Sequence, residues 1–119
     1  MSIEADGAGF SERKSQRFKV SWPSRVLMPD RSIVAARVKD VSDGGVGFEF
    51  AEQLPIGSEV SIELSPWHKG RQYTIRAKCS VVYSMLLAQS VGFSYGAKFA
   101  MIPDDQLAQL KLIMKGLDS

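Results

Sequence analysis

Ile33-Val34-Ala35-Ala36-Arg37-Val38-Lys39-Asp40-Val41-Ser42-Asp43-Gly44-Gly45-Val46-Gly47-Phe48-Glu49-Phe50 is the stretch that decides the fold. In its first half Val34, Ala36 and Val38 alternate with Ala35, Arg37 and Lys39. That period of two places successive side chains on opposite faces of an extended strand. Gly44 and Gly45 break the pattern, and Val46, Phe48 and Phe50 then alternate with Gly47 and Glu49. A strand, a glycine break and a second strand predict neighbouring antiparallel strands, each with one buried face.

The same period continues outward in both directions. Upstream, Phe18, Val20 and Trp22 alternate with Lys19 and Ser21, and Val26, Leu27 and Met28 resume the pattern after Pro23. A proline inside such a run indicates an edge position or a bulge, and Pro29-Asp30 reads as the turn to the next strand. Downstream, Val60, Ile62 and Leu64 form a half-buried strand, and residues 66–70 a turn. Tyr73, Ile75, Ala77 and Cys79 begin a strand that runs on to about Tyr83. Residues 85–91 are apolar without a period and read as a loop, and a last strand is expected from Tyr95 to Ile102. After Pro103 the spacing becomes helical: Leu107, Leu110, Met114 and Leu117 share a face, with Ile113 beside them. Asp104 and Asp105 suit the start of that helix, and Lys115 and Gly116 its end. The expectation is a mainly β domain of six short antiparallel strands, a small barrel or sandwich, with one C-terminal helix covering an open end. Residues 1–12 read as a flexible N-terminal arm and residues 13–117 as a single domain.

The chain has 119 residues, enough for one core without disulfides. Cys79 is the single cysteine, so an intramolecular disulfide and a multi-cysteine zinc site are excluded. There is no signal-peptide pattern and no apolar run of membrane-spanning length, so a cytoplasmic location is the expectation. Net charge is only +2. Residues 13–39, however, hold Arg13, Lys14, Arg17, Lys19, Arg25, Arg31, Arg37 and Lys39 against one acid, Asp30. Such a distribution suits an anion-binding region near the N-terminal end of the fold. His68 is the single histidine and lies in a turn, far in sequence from Cys79. Neither a catalytic triad nor a glycine-rich phosphate loop is visible, and Asp40 with Asp43 offers too few oxygens for a metal. The expectation is therefore a binding protein, not an enzyme, with no cofactor and no metal.

Two motifs remain: Arg13-Lys14-Ser15-Gln16-Arg17 before the first strand, and Asp40-Val41-Ser42-Asp43-Gly44-Gly45. Together they resemble the signature of the PilZ domain family, bacterial receptors for cyclic di-GMP. Arg13 and Arg17 match its Arg-x-x-x-Arg half; Asp40, Ser42 and Gly45 match Asp/Asn-x-Ser-x-x-Gly. Phe18, Val46-Gly47-Phe48 and Gly96-Ala97-Lys98-Phe99 resemble the family's flanking strands. The resemblance implies a PilZ-type six-stranded barrel over nearly the whole ordered chain. Its implied ligand is cyclic di-GMP, bound by Arg13, Arg17, Asp40, Ser42 and Gly45. Lys14, Gly44 and Tyr83 are further candidates.

The residue types suit that ligand. Arginine carries a planar, permanently charged fork that fits phosphate oxygens and the O6/N7 edge of guanine. The opposite guanine edge offers N–H donors, for which Asp40 and Ser42 supply acceptors. Gly45 permits a tight turn or close backbone approach. Tyr83 could stack on a base, although a core or edge-strand tyrosine is the more ordinary reading, and Lys14 could add attraction for phosphate.

The resemblance further implies an arm that orders on binding and relays the signal to an effector protein, in motility or exopolysaccharide regulation. Residues 85–87 offer a contact or homodimer surface. The alternatives are a nucleotide-independent protein adaptor of the same fold and a small nucleic-acid-binding barrel. The latter lacks the row of exposed aromatics that single-strand binders use, so no nucleic-acid polymer is expected as a partner.

Overall fold

Alternating strands with one apolar face are stable once their edges are paired, and this chain pairs them by closing into a ring. In the computed structural model, which describes residues 16–87 and 92–117, six strands form that ring. They are β1 (Phe18–Leu27), β2 (Ile33–Val41), β3 (Gly45–Phe50), β4 (Glu59–Leu64), β7 (Ile75–Leu86) and β8 (Phe93–Met101). The order around the barrel is β1-β2-β3-β8-β7-β4, antiparallel throughout, with β4 returning to β1. The expected arm, Arg13 and Lys14 lie outside the described residues.

Inward side chains of all six strands fill the barrel. Val26, Val38, Phe48, Ile62, Ile75, Cys79 and Tyr95 belong to one buried cluster. Helix α1 (Asp104–Leu117) adds Leu110, Ile113 and Met114 to it. The acidic first turn and Lys115 in the last complement the helix dipole. The buried stripe is narrower than its spacing suggests: Leu107 is half-buried and Leu117 is exposed. Tyr95 ties an irregular segment to the core, for its hydroxyl accepts from the Leu54 N–H (2.8 Å) and donates to the Glu52 carbonyl (2.9 Å).

Several boundaries differ from the sequence expectation. The turn at residues 66–70 is a small hairpin, β5 (Trp67–His68) with β6 (Arg71–Gln72). Lys69 and Gly70 both have positive φ, 53° and 77°, as a two-residue hairpin loop requires. His68 is half-buried, against Gly116 at the end of α1. The following strand starts at Ile75 and passes Tyr83 to end at Leu86, so Met85 and Leu86 are strand residues and not loop. Both are exposed all the same. The last strand starts earlier than expected, at Phe93. Pro23 lies within β1 where its pairing with β4 stops: Ser24 to Leu27 face β4, and Pro23 does not. That is the edge position its missing N–H demands. The Pro29-Asp30 turn is held by the Asp30 carboxylate, which accepts from the Ser32 N–H and hydroxyl. No helix among the described residues is long and apolar enough to cross a membrane.

Candidate functional site

Strict alternation along β2 would send Asp40 inward with Val38. A bulge prevents it. Val38 pairs with Phe48 and Asp40 with Gly47, so Lys39 has no counterpart on β3. One extra residue reverses the phase: Val41 becomes the inward, fully buried residue, and Asp40 turns to the outer wall. The same device recurs in β7. Val81 pairs with Ala97 and Tyr83 with Gly96, leaving Val82 as the extra residue. Ile75, Ala77, Cys79 and Val81 point inward, and Tyr83 points out, 45% exposed.

Both displaced side chains come to rest on glycines. Gly47 and Gly96 are paired with each other on β3 and β8. A Cβ at Gly47 would strike the Asp40 carboxylate, and one at Gly96 would strike the Tyr83 ring. Lys19, Asp40, Gly47, Gly96 and Tyr83 thus form one continuous cross-strand row over β1, β2, β3, β8 and β7. The carboxylate and the ring lie flat on this row and cover the two glycines, which are both buried beneath them.

Arg17 enters from the chain just before β1. Its Nε and Nη2 both donate to Asp40 Oδ1, the first at 3.0 Å. Asp40 Oδ2 lies over Gly47. The pair is partly exposed, with 39% of the Arg17 side chain and 29% of Asp40 open to solvent. It is therefore weakly held, worth about 0–1 kcal/mol, and exchangeable.

The turn between β2 and β3 carries the rest of the second motif. Ser42 is buried, and its hydroxyl accepts from the Gly44 N–H at 3.2 Å. The Ser42 N–H donates to the Gly45 carbonyl at 2.9 Å, and the Gly44 carbonyl accepts from Phe99. Ser42 thus braces the turn. Gly45 has no positive φ, so conformational freedom is not its reason. Its Cα faces the Ala97 carbonyl so closely that a side chain would collide with it. Of the two roles the sequence left open, close backbone approach is the one observed.

The structure therefore brings together Arg17, Asp40, Ser42, Gly44, Gly45 and Tyr83 on one wall. Arg13 and Lys14 lie outside the described residues. Lys98 pairs with Gly45 and is exposed. Sequence reasoning missed Gly47 and Gly96 as the seats of Asp40 and Tyr83, and Lys19 as the neighbour across from Asp40. The available signal was glycine at outward strand positions, where a strand loses packing unless something lies over it.

No curated protein matches the chain significantly. Among solved structures, it resembles the Bacillus subtilis inhibitor of motility MotI/DgrA, with a TM-score of 0.74 and 15% identity over 87% of this chain and 50% of that one. It also resembles Escherichia coli YcgR in complex with c-di-GMP, at 0.73 and 18%, covering 89% and 46%. For the isolated PilZ domain of YcgR with c-di-GMP the values are 0.67 and 17%, covering 91% and 92%. The chain thus spans about half the length of the first two and nearly all of the third. At these identities the likeness establishes the fold. The PilZ domain family model matches residues 11–116, which include both motifs and every strand of the barrel, and the chain accordingly belongs to the PilZ domain family.

Proposed function

We propose that this protein is a cyclic di-GMP receptor, not an enzyme, that passes its bound state to a partner protein. The observation that carries the reading is one cross-strand row: Asp40 and Tyr83 point outward over paired glycines, and Arg17 and Asp40, at motif positions of the family, are in contact. The YcgR structures with c-di-GMP support the choice of ligand.

In this reading the two glycines let the Asp40 carboxylate and the Tyr83 ring lie flat on the sheet, where Asp40 accepts guanine N–H donors and Tyr83 stacks on a base. Arg17 exchanges its bond to Asp40 for the ligand's phosphate or guanine acceptors. Arg13 supplies the second guanidinium from the arm, with Lys14 adding attraction. Ser42, Gly44 and Gly45 hold the turn that positions Asp40. Fixing each residue of an arm costs on the order of 1–2 kcal/mol, which sets a moderate affinity.

Calorimetric titration with cyclic di-GMP tests this. Wild type binds, and Asp40→Ala, Arg13→Ala and Arg17→Ala each weaken binding at least tenfold. Wild-type affinity in all three variants rules the site out, and the absence of heat with the wild type rules the ligand out.

A further inference from the structure

On the opposite wall of the ring, β4 stands across from β3. A groove of about 470 Å³ runs over it. Its cross-strand row is Ile33, Leu27, Ser61, Lys78 and Met101, each paired with the next. Ser61 is the small residue at the centre and makes the floor. Leu27 and Ile33 form one wall, and Met101 with Pro103 the other. These apolar walls face solvent: Leu27 is 44% exposed, and Ile33 and Met101 are each 58%.

The next row is charged. Glu63 accepts from Arg25 Nε at 3.0 Å and from Arg76 Nε at 2.8 Å. Arg25, Arg76 and Lys78 against Glu63 leave the lining with two uncompensated positive charges. Asp104 and Asp105 follow Pro103 at the start of α1 and do not line it.

We infer that this groove docks an amphipathic helix of a partner protein, with aliphatic side chains on one face and acidic residues flanking them. Three observations select that occupant. Backbone pairing is closed to it, because every β4 residue is paired with β7 and Ser61 to Leu64 are also paired with β1; an added strand has no edge to join. The walls are too exposed to enclose a small ligand, which a dedicated pocket buries by about 70–90%. A helix commits only its apolar stripe and keeps its other face in water. The excess positive charge of the lining, on the side away from Asp104 and Asp105, then selects acidic flanks. The helix of a second copy carries the wrong sign, since the exposed Leu112 on α1 is flanked by Lys111 and Lys115. The lining alone carries this inference, and it stands without nucleotide binding.

Two labelled synthetic peptides test it by fluorescence polarisation with the full chain. They share leucines at i, i+3, i+4 and i+7 and differ only in having glutamate or lysine flanks. The acidic peptide binds at least tenfold more tightly. Ser61→Trp, which fills the floor, and Ile33→Asp, which charges an exposed wall, each weaken it at least tenfold. Both variants retain the wild-type cyclic di-GMP titration, or, if the wild type shows none, the wild-type thermal melt. Should Ser61→Trp fail that check, Ile33→Asp decides. Equal affinity for the two peptides overturns the inference, as does undiminished binding by the folded variants. Binding to phosphatidylglycerol vesicles with no binding of the acidic peptide overturns it too, by making the groove a membrane contact.

Discussion

Gly47→Ala is the smallest change that disturbs the Asp40–Tyr83 row. The added methyl collides with the Asp40 carboxylate and not with the core, because Gly47 points outward. The expected result is at least a tenfold loss of cyclic di-GMP affinity by calorimetry with the barrel still folded by circular dichroism. Tyr95→Phe has the opposite profile. It leaves the Leu54 N–H and the Glu52 carbonyl without their buried partner. The cost is about 1–3 kcal/mol in urea denaturation, with ligand affinity unchanged. Ser24 is buried, and its hydroxyl has no hydrogen-bond partner among the described residues. Ser24→Ala removes a desolvated polar atom at little loss of volume, so it is neutral or stabilising by about 1 kcal/mol. Cys79 sits in the core, where burial pushes its thiol up to about 12. It should resist iodoacetamide at pH 8 until the chain is denatured. At this scale the motif residues were legible because their chemistry is local: Arg17, Asp40 and Gly45 announce themselves by type and spacing. Gly47 and Gly96 were not, since a glycine acquires that role from what a distant strand lays over it.

Among the elements, α1 separates packing from propensity. Ile113 is fully buried and the adjacent Leu112 is 56% exposed. Ile113→Ala should therefore cost about 2–5 kcal/mol and Leu112→Ala well under 1 kcal/mol, measured by denaturant titration. Strand existence and order were readable from a period of two, because half-buried strands have to alternate. The direction of Asp40 and Tyr83 was not readable. Alternation counted through Val34, Ala36 and Val38, or through Ile75, Ala77 and Cys79, sends both residues inward. The bulges at Lys39 and Val82 arise from register between strands, which no single strand encodes. The extension of β7 to Leu86 has a similar origin: β8 pairs with it as far as Phe93, so the backbone stays extended where the apolar pattern has lost its period.

At the scale of the molecule, the Arg25–Glu63–Arg76 triad crosses the seam where β4 meets β1 and β7. The hydrogen bond from Arg76 and then that from Arg25 hold the Glu63 carboxyl below its ordinary value of 4.5. A carboxyl lowered in the folded chain stabilises it above the unfolded value and loses that contribution as pH falls through the folded one. The urea midpoint should therefore drop below about pH 4.5. In Glu63→Gln that part of the drop is absent. On the proposed function, cyclic di-GMP at 100 times its Kd should stabilise the fold by about 2.7 kcal/mol, read as a rise in Tm. The bulges, finally, suggest how such a wall can come about. Each adds a residue to one strand and leaves the core-facing side chains as they were. What the wall presents is then decided by the two glycines: a carboxylate and a ring lie flat on the sheet because neither Gly47 nor Gly96 carries a Cβ, and the core is untouched by that choice. Two paired glycines beneath an outward carboxylate and an outward ring offer a route for building the same row on an unrelated barrel.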